Sequence, residues 1–207
     1  MREAAVSGLL SNFRNTMIVS VVLALVMIFG YYHQAHGDVR QFGEAVLRWA
    51  HVFAGILWIG LLYYFNFVQI RVMPNIPAEL KPAVSKYIAP EALFWFRWAA
   101  LATWVLGVAL ALHRGYFLDA ITIGFADGFG AAPGHTFIGV GMWLATVMFL
   151  NVWGVIWPNQ KIALGIKEAD ADAKAKAAKT AMLFSRINTL LSLPMLTAMA
   201  MNQTVFG

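Results

Sequence analysis

Long apolar segments constrain the fold of this chain more than any other feature of its sequence. A helix needs about 20 predominantly apolar residues to cross the hydrocarbon core of a bilayer. Charged residues make up 12% of the 207 positions, against about 25% in soluble domains. The sequence therefore predicts an all-α fold, a polytopic membrane helical bundle that lies in the lipid bilayer as a single integral membrane domain over residues 1–207. Its five transmembrane helices are predicted at about residues 16–32, 44–70, 93–112, 136–157 and 182–201.

Lysine and arginine cluster at one end of the predicted spans and set the expected orientation. Because cytoplasmic flanks of membrane helices carry an excess of these residues, the N-terminus is predicted to be cytoplasmic, in a multi-pass protein of the bacterial inner membrane. The alanine- and lysine-rich residues 162–181 are predicted to form a cytoplasmic helical loop. The net charge of +5 arises beside apolar spans and gives no reason to expect a nucleic-acid partner. The basic residues of this end are Arg2, Arg14, Arg71, Lys81, Lys86, Lys161, Lys167, Lys174, Lys176, Lys179 and Arg186, against Arg40, Arg48 and Arg114 at the other.

The five histidines lie toward the opposite end of the spans from the lysines. His51 is the deepest, inside the apolar stretch RWAHVFAGILWIGLLYYFNFVQI, and Gly55 follows it by one helical turn. Imidazole is an axial ligand of haem iron, and a glycine lets a macrocycle approach a helix closely. The chain has no cysteine, which excludes thiolate metal sites, iron–sulfur clusters and covalently attached haem. We therefore expect haem b near the periplasmic side, bound by His51 beside Gly55.

The second axial ligand has two candidates, and the cofactor has alternatives. His113 ends the third span and His135 precedes the fourth, so either could complete the haem site. A copper or zinc site formed by His51, His113 and His135 is the alternative. In a purely structural role, His51 would instead hydrogen-bond a carbonyl group on a neighbouring helix. His33 and His36 are interpreted as exposed loop residues.

Polar side chains in the other halves of the spans are interpreted as structural. Asn66, Gln69, Asn151 and Asn188 are expected to form hydrogen bonds between helices. No carboxylate lies in the middle of a span, which argues against a carboxylate proton relay of the transporter kind.

Several of these segments resemble the membrane domain of the bacterial membrane-bound urate oxidases (urate hydroxylases). The resemblance covers roughly residues 43–203, and His51 matches the family pattern. It implies the same helical scaffold and redox chemistry, in a short form without the family's C-terminal cytochrome c domain. Gly139, Ile187 and Gln203 stand where the family tends to place histidines. The similar segments are RWAHVFAGILWIGLLYYF, LFWFRWAALATWVLGVALAL, HTFIGVGMWLATVMFLNVWGVIWPNQKIAL with Asn151, Pro158, Gln160 and Lys161, and INTLLSLPMLTAMAMNQ with Asn188, Leu193, Pro194 and Asn202.

A shorter element around His51 is similar to two other membrane families. His-x-x-x-Gly-x-x-Trp-x-Gly, residues 51–60, resembles a segment of the bacterial haem-binding protoporphyrinogen oxidase and of the copper-resistance membrane proteins. Both place a histidine near the start of a span. This similarity favours a haem or metal role for His51.

Three functions follow from these observations. The first is a small inner-membrane protein that binds b-type haem and transfers electrons with a separate cytochrome c or respiratory complex, or serves it as an accessory redox subunit. The second is urate oxidase-like oxidation of a small heterocycle with a separate electron acceptor. The third is a purely structural accessory membrane subunit. A homo-oligomer is compatible with each.

Overall fold

The computed structural model describes residues 8–34, 38–125 and 132–206, and helices dominate these segments. No β-strand occurs in the described residues. The all-helical prediction is confirmed. Within the described residues, four helices are long and apolar enough to cross a membrane, and they contain the first four predicted spans. These are α1 (Phe13–Gln34), α2 (Val39–Asn75), α3 (Lys81–Arg114) and α5 (Pro133–Ala163), with a short α4 (Phe117–Ile121) before α5.

The four helices extend beyond the apolar segments that predicted them. The second predicted span, residues 44–70, lies inside a helix of 37 residues, and the third, residues 93–112, lies inside one of 34. The length of an apolar segment indicates only how much of a helix lies in the hydrocarbon core of the bilayer. Polar residues with a high helix propensity continue each helix beyond the hydrocarbon core. The predicted helix ends therefore lie too far inward.

Helix α6 (Ala171–Phe206) combines two segments that were predicted separately. It contains the predicted fifth span, residues 182–201, but it is not among the four helices with a clear membrane-spanning composition. It also contains the second half of the predicted loop 162–181, because alanine and lysine continue the helix. Residues 164–170 form the connection, and the Asp170 carboxylate accepts a hydrogen bond of 2.7 Å from the backbone N–H of Ala173.

The chain divides into two compact units, residues 1–46 and 47–207. In the first unit, α1 buries none of its described side chains, and the rings of Tyr32 and Phe42 lie 4.7 Å apart. The second unit contains the core. Phe65 and Phe96 meet there edge to face, with ring centroids 5.6 Å apart. The largest fully buried side chains are Trp58, Phe96, Leu62, Met148, Val152, Asn188 and Ser192.

Hydrogen bonds between helices show which helix ends lie together in the second unit. His51 near the start of α2 contacts Thr103 in the second half of α3, and Asn202 at the end of α6 donates to the Gly134 carbonyl at the start of α5. We call this the histidine end. The opposite end, which carries Lys81, is called the lysine end.

Candidate functional site

The imidazole of His51 is held by the backbone of α3. Its Nδ1 lies 2.9 Å from the Thr103 carbonyl oxygen. Because a carbonyl oxygen can only accept, Nδ1 carries the hydrogen and donates it. In the neutral ring this leaves Nε2 with a lone pair, which is the form that binds a metal. The residue is half-buried, and its hydrogen bond to a carbonyl group on a neighbouring helix is the contact that the structural alternative for His51 predicted.

Gly107 makes room for this ring. A Cβ atom on Gly107 would lie 2.9 Å from Cε1 and 3.2 Å from Nδ1 of His51, closer than ordinary contacts allow. Thr103 and Gly107 lie one turn apart on α3, so they present one surface to the imidazole. The Thr103 hydroxyl is already engaged, donating 2.7 Å to the Ala99 carbonyl. Sequence reasoning missed both residues; the Thr-x-x-x-Gly spacing in TWVLG was the available signal.

Gly55 lies on the side of α2 that faces α3. A Cβ at this position would meet the Thr103 Cγ2 atom at 3.7 Å, an ordinary van der Waals distance. Thr103 therefore already covers the face of Gly55 that was predicted to receive a macrocycle. A planar group bound by His51 would have to share that face with Thr103.

His135, in the first turn of α5, has a separate set of neighbours. Its Nδ1 lies 3.3 Å from the Asp119 Oδ2 atom of α4, and its ring stacks on Tyr116 at 5.7 Å with 22° between the planes. Nδ1 nevertheless has no hydrogen bond of good geometry. We therefore interpret the contact as an electrostatic one. The two side chains are 40% and 31% exposed, so solvent screens the pair.

The short helix α4 is fixed against α5, and this places Asp119 beside His135. Gly139 of α5 packs on the Ala120 carbonyl oxygen so closely that a Cβ would overlap it. Trp143 Nε1 donates 2.9 Å to the Ile121 carbonyl. Gly139 is one of the positions where the resembled family tends to carry a histidine. A histidine could not fit here with α4 in this position.

The remaining predicted histidines lie at helix ends or outside the described residues. His113 lies in the last turn of α3 and His33 in the last turn of α1, inside a helix instead of the predicted loop. His36 lies outside the described residues. Over residues 8–34, 38–125 and 132–206, no three histidine, aspartate or glutamate side chains come together in a way that could hold a metal ion.

Four amide side chains were expected to form hydrogen bonds between helices, and three of them do: Asn66, Asn151 and Asn188. The fully buried Asn188 donates 2.9 Å to the Met148 carbonyl and accepts 2.8 Å from Asn151 Nδ2. Asn66 Nδ2 donates 2.8 Å to the Ser185 hydroxyl. The fourth amide, Gln69, leaves its Oε1 atom buried without a hydrogen bond.

Comparison with known protein families gives a match to the C-terminal part of the described residues. Residues 131–206, which contain α5 and α6, match the family model described as urate oxidase N-terminal. No curated protein and no solved structure matches the chain. This match supports the resemblance to the urate oxidases that the sequence predicted, over residues 131–206.

Proposed function

We propose that this chain, which matches the urate oxidase N-terminal family model over residues 131–206, is a small redox protein of the bacterial inner membrane that binds b-type haem near the periplasmic side. Its role is electron transfer with a separate cytochrome c or respiratory complex, or that of an accessory redox subunit. The observation that carries the proposal is the 2.9 Å contact between His51 Nδ1 and the Thr103 carbonyl oxygen.

Metal-bound histidines usually donate their second ring N–H to a carbonyl or a carboxylate. That hydrogen bond fixes the ring orientation and makes the other nitrogen a better ligand. His51 fits this requirement, with Nδ1 bound to Thr103 and Nε2 left for a metal. His135, with Asp119 at 3.3 Å from its Nδ1 atom, or His113 would hold the haem together with His51. When bound, haem would supply one-electron redox chemistry at its iron.

The proposal includes the orientation and the number of spans. The lysine end faces the cytoplasm, because positively charged residues collect on that side of inner-membrane proteins. Residues 182–201 of α6 form the fifth span, since α6 packs along α5 and its end meets Gly134 at the histidine end. The protein's own contribution is to orient His51, to bury the cofactor and to exclude water from it.

A second candidate function rests on the family match and on the Asp119–His135 pair. Hydroxylation of a small heterocycle such as urate takes an oxygen atom from water, releases two protons and passes two electrons to a separate acceptor. His135, oriented by Asp119 and stacked on Tyr116, is the group that would accept a proton. Turnover of urate by membranes containing the chain, with an added electron acceptor, tests this candidate.

An optical spectrum tests the haem proposal. The protein, expressed with added haem and purified in detergent, should show a Soret band that shifts on reduction with dithionite. His51→Ala should abolish the band without changing the helical circular dichroism, whereas His33→Ala, in the other unit, should leave it unchanged. Absence of the band from the wild-type protein would overturn the proposal. His51 would then have the structural role, which predicts a stability change and no spectral one.

A further inference from the structure

A cavity of about 380 Å³ opens at the lysine end of the bundle. It lies where the end of α2, the start of α3 and α6 come together. Its walls are mainly apolar, with one amide and one ammonium group. The lining residues are Gln69, Ile70, Met73, Pro74, Lys81 and Met182.

Two buried side-chain oxygen atoms, one on a residue that lines the cavity and one on the preceding turn of α2, have no hydrogen-bond donor. Gln69 Oε1 and Asn66 Oδ1 are both inaccessible and both without a hydrogen bond. The assignment for Asn66 follows from its neighbours, because its amide nitrogen lies 2.9 Å from the Leu62 carbonyl oxygen, which can only accept. The Asn66 oxygen therefore faces elsewhere. Inside a membrane, lipid tails cannot supply the missing donors.

Local helix geometry places these two amides in one line with hydroxyl groups of α6. Residues Tyr64–Gln69 form a π-helical turn within α2, a feature common at functional sites. Asn66 reaches Ser185, and Tyr63 reaches Ser192 at 3.0 Å. Because α2 and α6 run in opposite directions, the polar line leads from the cavity toward the middle of the bundle.

We propose that this cavity is a water-binding inlet, in which ordered water enters from the lysine end and hydrogen-bonds to Gln69 Oε1 and Asn66 Oδ1. Water is the occupant that fits, because each molecule supplies two donors to acceptors that lack them. The volume holds several molecules, at about 30 Å³ each in the liquid. The Lys81 ammonium group in the wall disfavours a metal cation. The inlet ends at the hydroxyl pair of Tyr63 and Ser192.

Single cysteines test the inlet, because the natural chain has none. Only the thiolate reacts with methanethiosulfonate reagents, and thiolate forms only where water is present. Gln69→Cys and Ser185→Cys should react with a charged, membrane-impermeant reagent about tenfold or more faster than cysteines at neighbouring lipid-facing positions. Phe67→Cys and Leu183→Cys are the matched controls, since both side chains are exposed at similar depth on the same helices.

Two further results decide the extent and the occupant of the inlet. Met195→Cys, beyond the hydroxyl pair and buried, should not react. An anionic reagent should react faster than a cationic one at Gln69→Cys, and Lys81→Gln should remove that difference. Equal rates at Gln69→Cys, Ser185→Cys and the lipid-facing controls would overturn the proposal.

The wild-type protein provides a test that does not depend on folding of a variant. Hydroxyl radicals generated in water oxidise methionine side chains that water can reach. Met73 and Met182 line the cavity, whereas Met148 is fully buried in the core. Oxidation should therefore be extensive at Met73 and Met182 and weak at Met148. Protection of Met182 to the level of Met148 would show that a lipid headgroup or apolar chain fills the cavity.

Discussion

The imidazole of His51 occupies the space that a side chain at Gly107 would need: a Cβ there would lie 2.9 Å from the ring's Cε1 atom. The same ring donates its Nδ1 hydrogen to Thr103, one turn earlier on α3. The position of the His51 ring thus depends on the absence of a side chain on another helix. The contact between His51 and Gly107 can therefore be tested without knowing whether His51 binds a ligand.

Gly107→Ala should displace the His51 ring and break its hydrogen bond to Thr103. We expect the free energy of unfolding to fall by about 1–3 kcal/mol, from overpacking and a lost hydrogen bond. Titration with sodium dodecyl sulfate in mixed micelles measures this change. Gly60→Ala on α2 is the control, because a Cβ at Gly60 meets no atom within 4 Å. Equal stability of the two variants would mean that His51 is not held as described.

Gly139→Ala should detach α4 from α5. The added Cβ overlaps the Ala120 carbonyl oxygen, a backbone atom that cannot rotate away. We expect a loss of about 1–3 kcal/mol in the free energy of unfolding and faster proteolysis around α4. Gly154→Ala in the same helix meets nothing within 4 Å and should have little effect. If α4 is as resistant to protease in Gly139→Ala as in the wild-type protein, Gly139 does not pack on Ala120 as described.

The sequence predicted the membrane helices, and the reason is physical. Long apolar segments can satisfy their backbone hydrogen bonds in lipid only as helices, so four of the helices followed from composition. The ends of the helices did not follow from composition, because polar residues outside the hydrocarbon core can continue a helix that the apolar pattern does not reveal. Residues 171–181 of α6 are the clearest case, since they were predicted as part of a helical loop separate from the fifth span.

The partners of the predicted site residues could not be predicted from spacing. Thr103 is 52 residues from His51 in the chain, and only the packing of α2 on α3 brings them together. Asp119 reaches His135 because a helix of five residues folds back onto α5, and such a short helix has little periodicity to detect. Gly55 was assigned to a cofactor from its spacing alone, whereas the tertiary structure places Thr103 beside it.

Asp119→Asn should change stability very little. The Asp119–His135 contact is partly exposed at 40% and 31%, and such pairs contribute about 0–1 kcal/mol. The same variant should lower urate-dependent electron transfer if His135 acts as a base, because the carboxylate that orients its ring is gone. Unfolding titration and a turnover assay on the same preparation separate the two effects. A large loss of stability would instead identify the pair as structural.

Asn151 and Asn188 should act as one unit in the core. Asn188 is fully buried, and replacing it with alanine leaves the Asn151 amide without its 2.8 Å partner inside the membrane. We expect Asn188→Ala to lower the free energy of unfolding by about 1–3 kcal/mol, the cost of an unpaired buried polar group. Thr197→Ala, at an exposed position on α6, is the control for helix propensity.

A double-mutant cycle then measures the coupling between the two amides. Asn151→Ala combined with Asn188→Ala should cost less than the sum of the single changes by about 0.5–2 kcal/mol, because the second change removes the group that the first left unpaired. Additive effects would mean that the two side chains do not share a hydrogen bond. Strong coupling would show that this amide pair, which lies within the residues that match the urate oxidase N-terminal family model, stabilises the packing of α6 on α5.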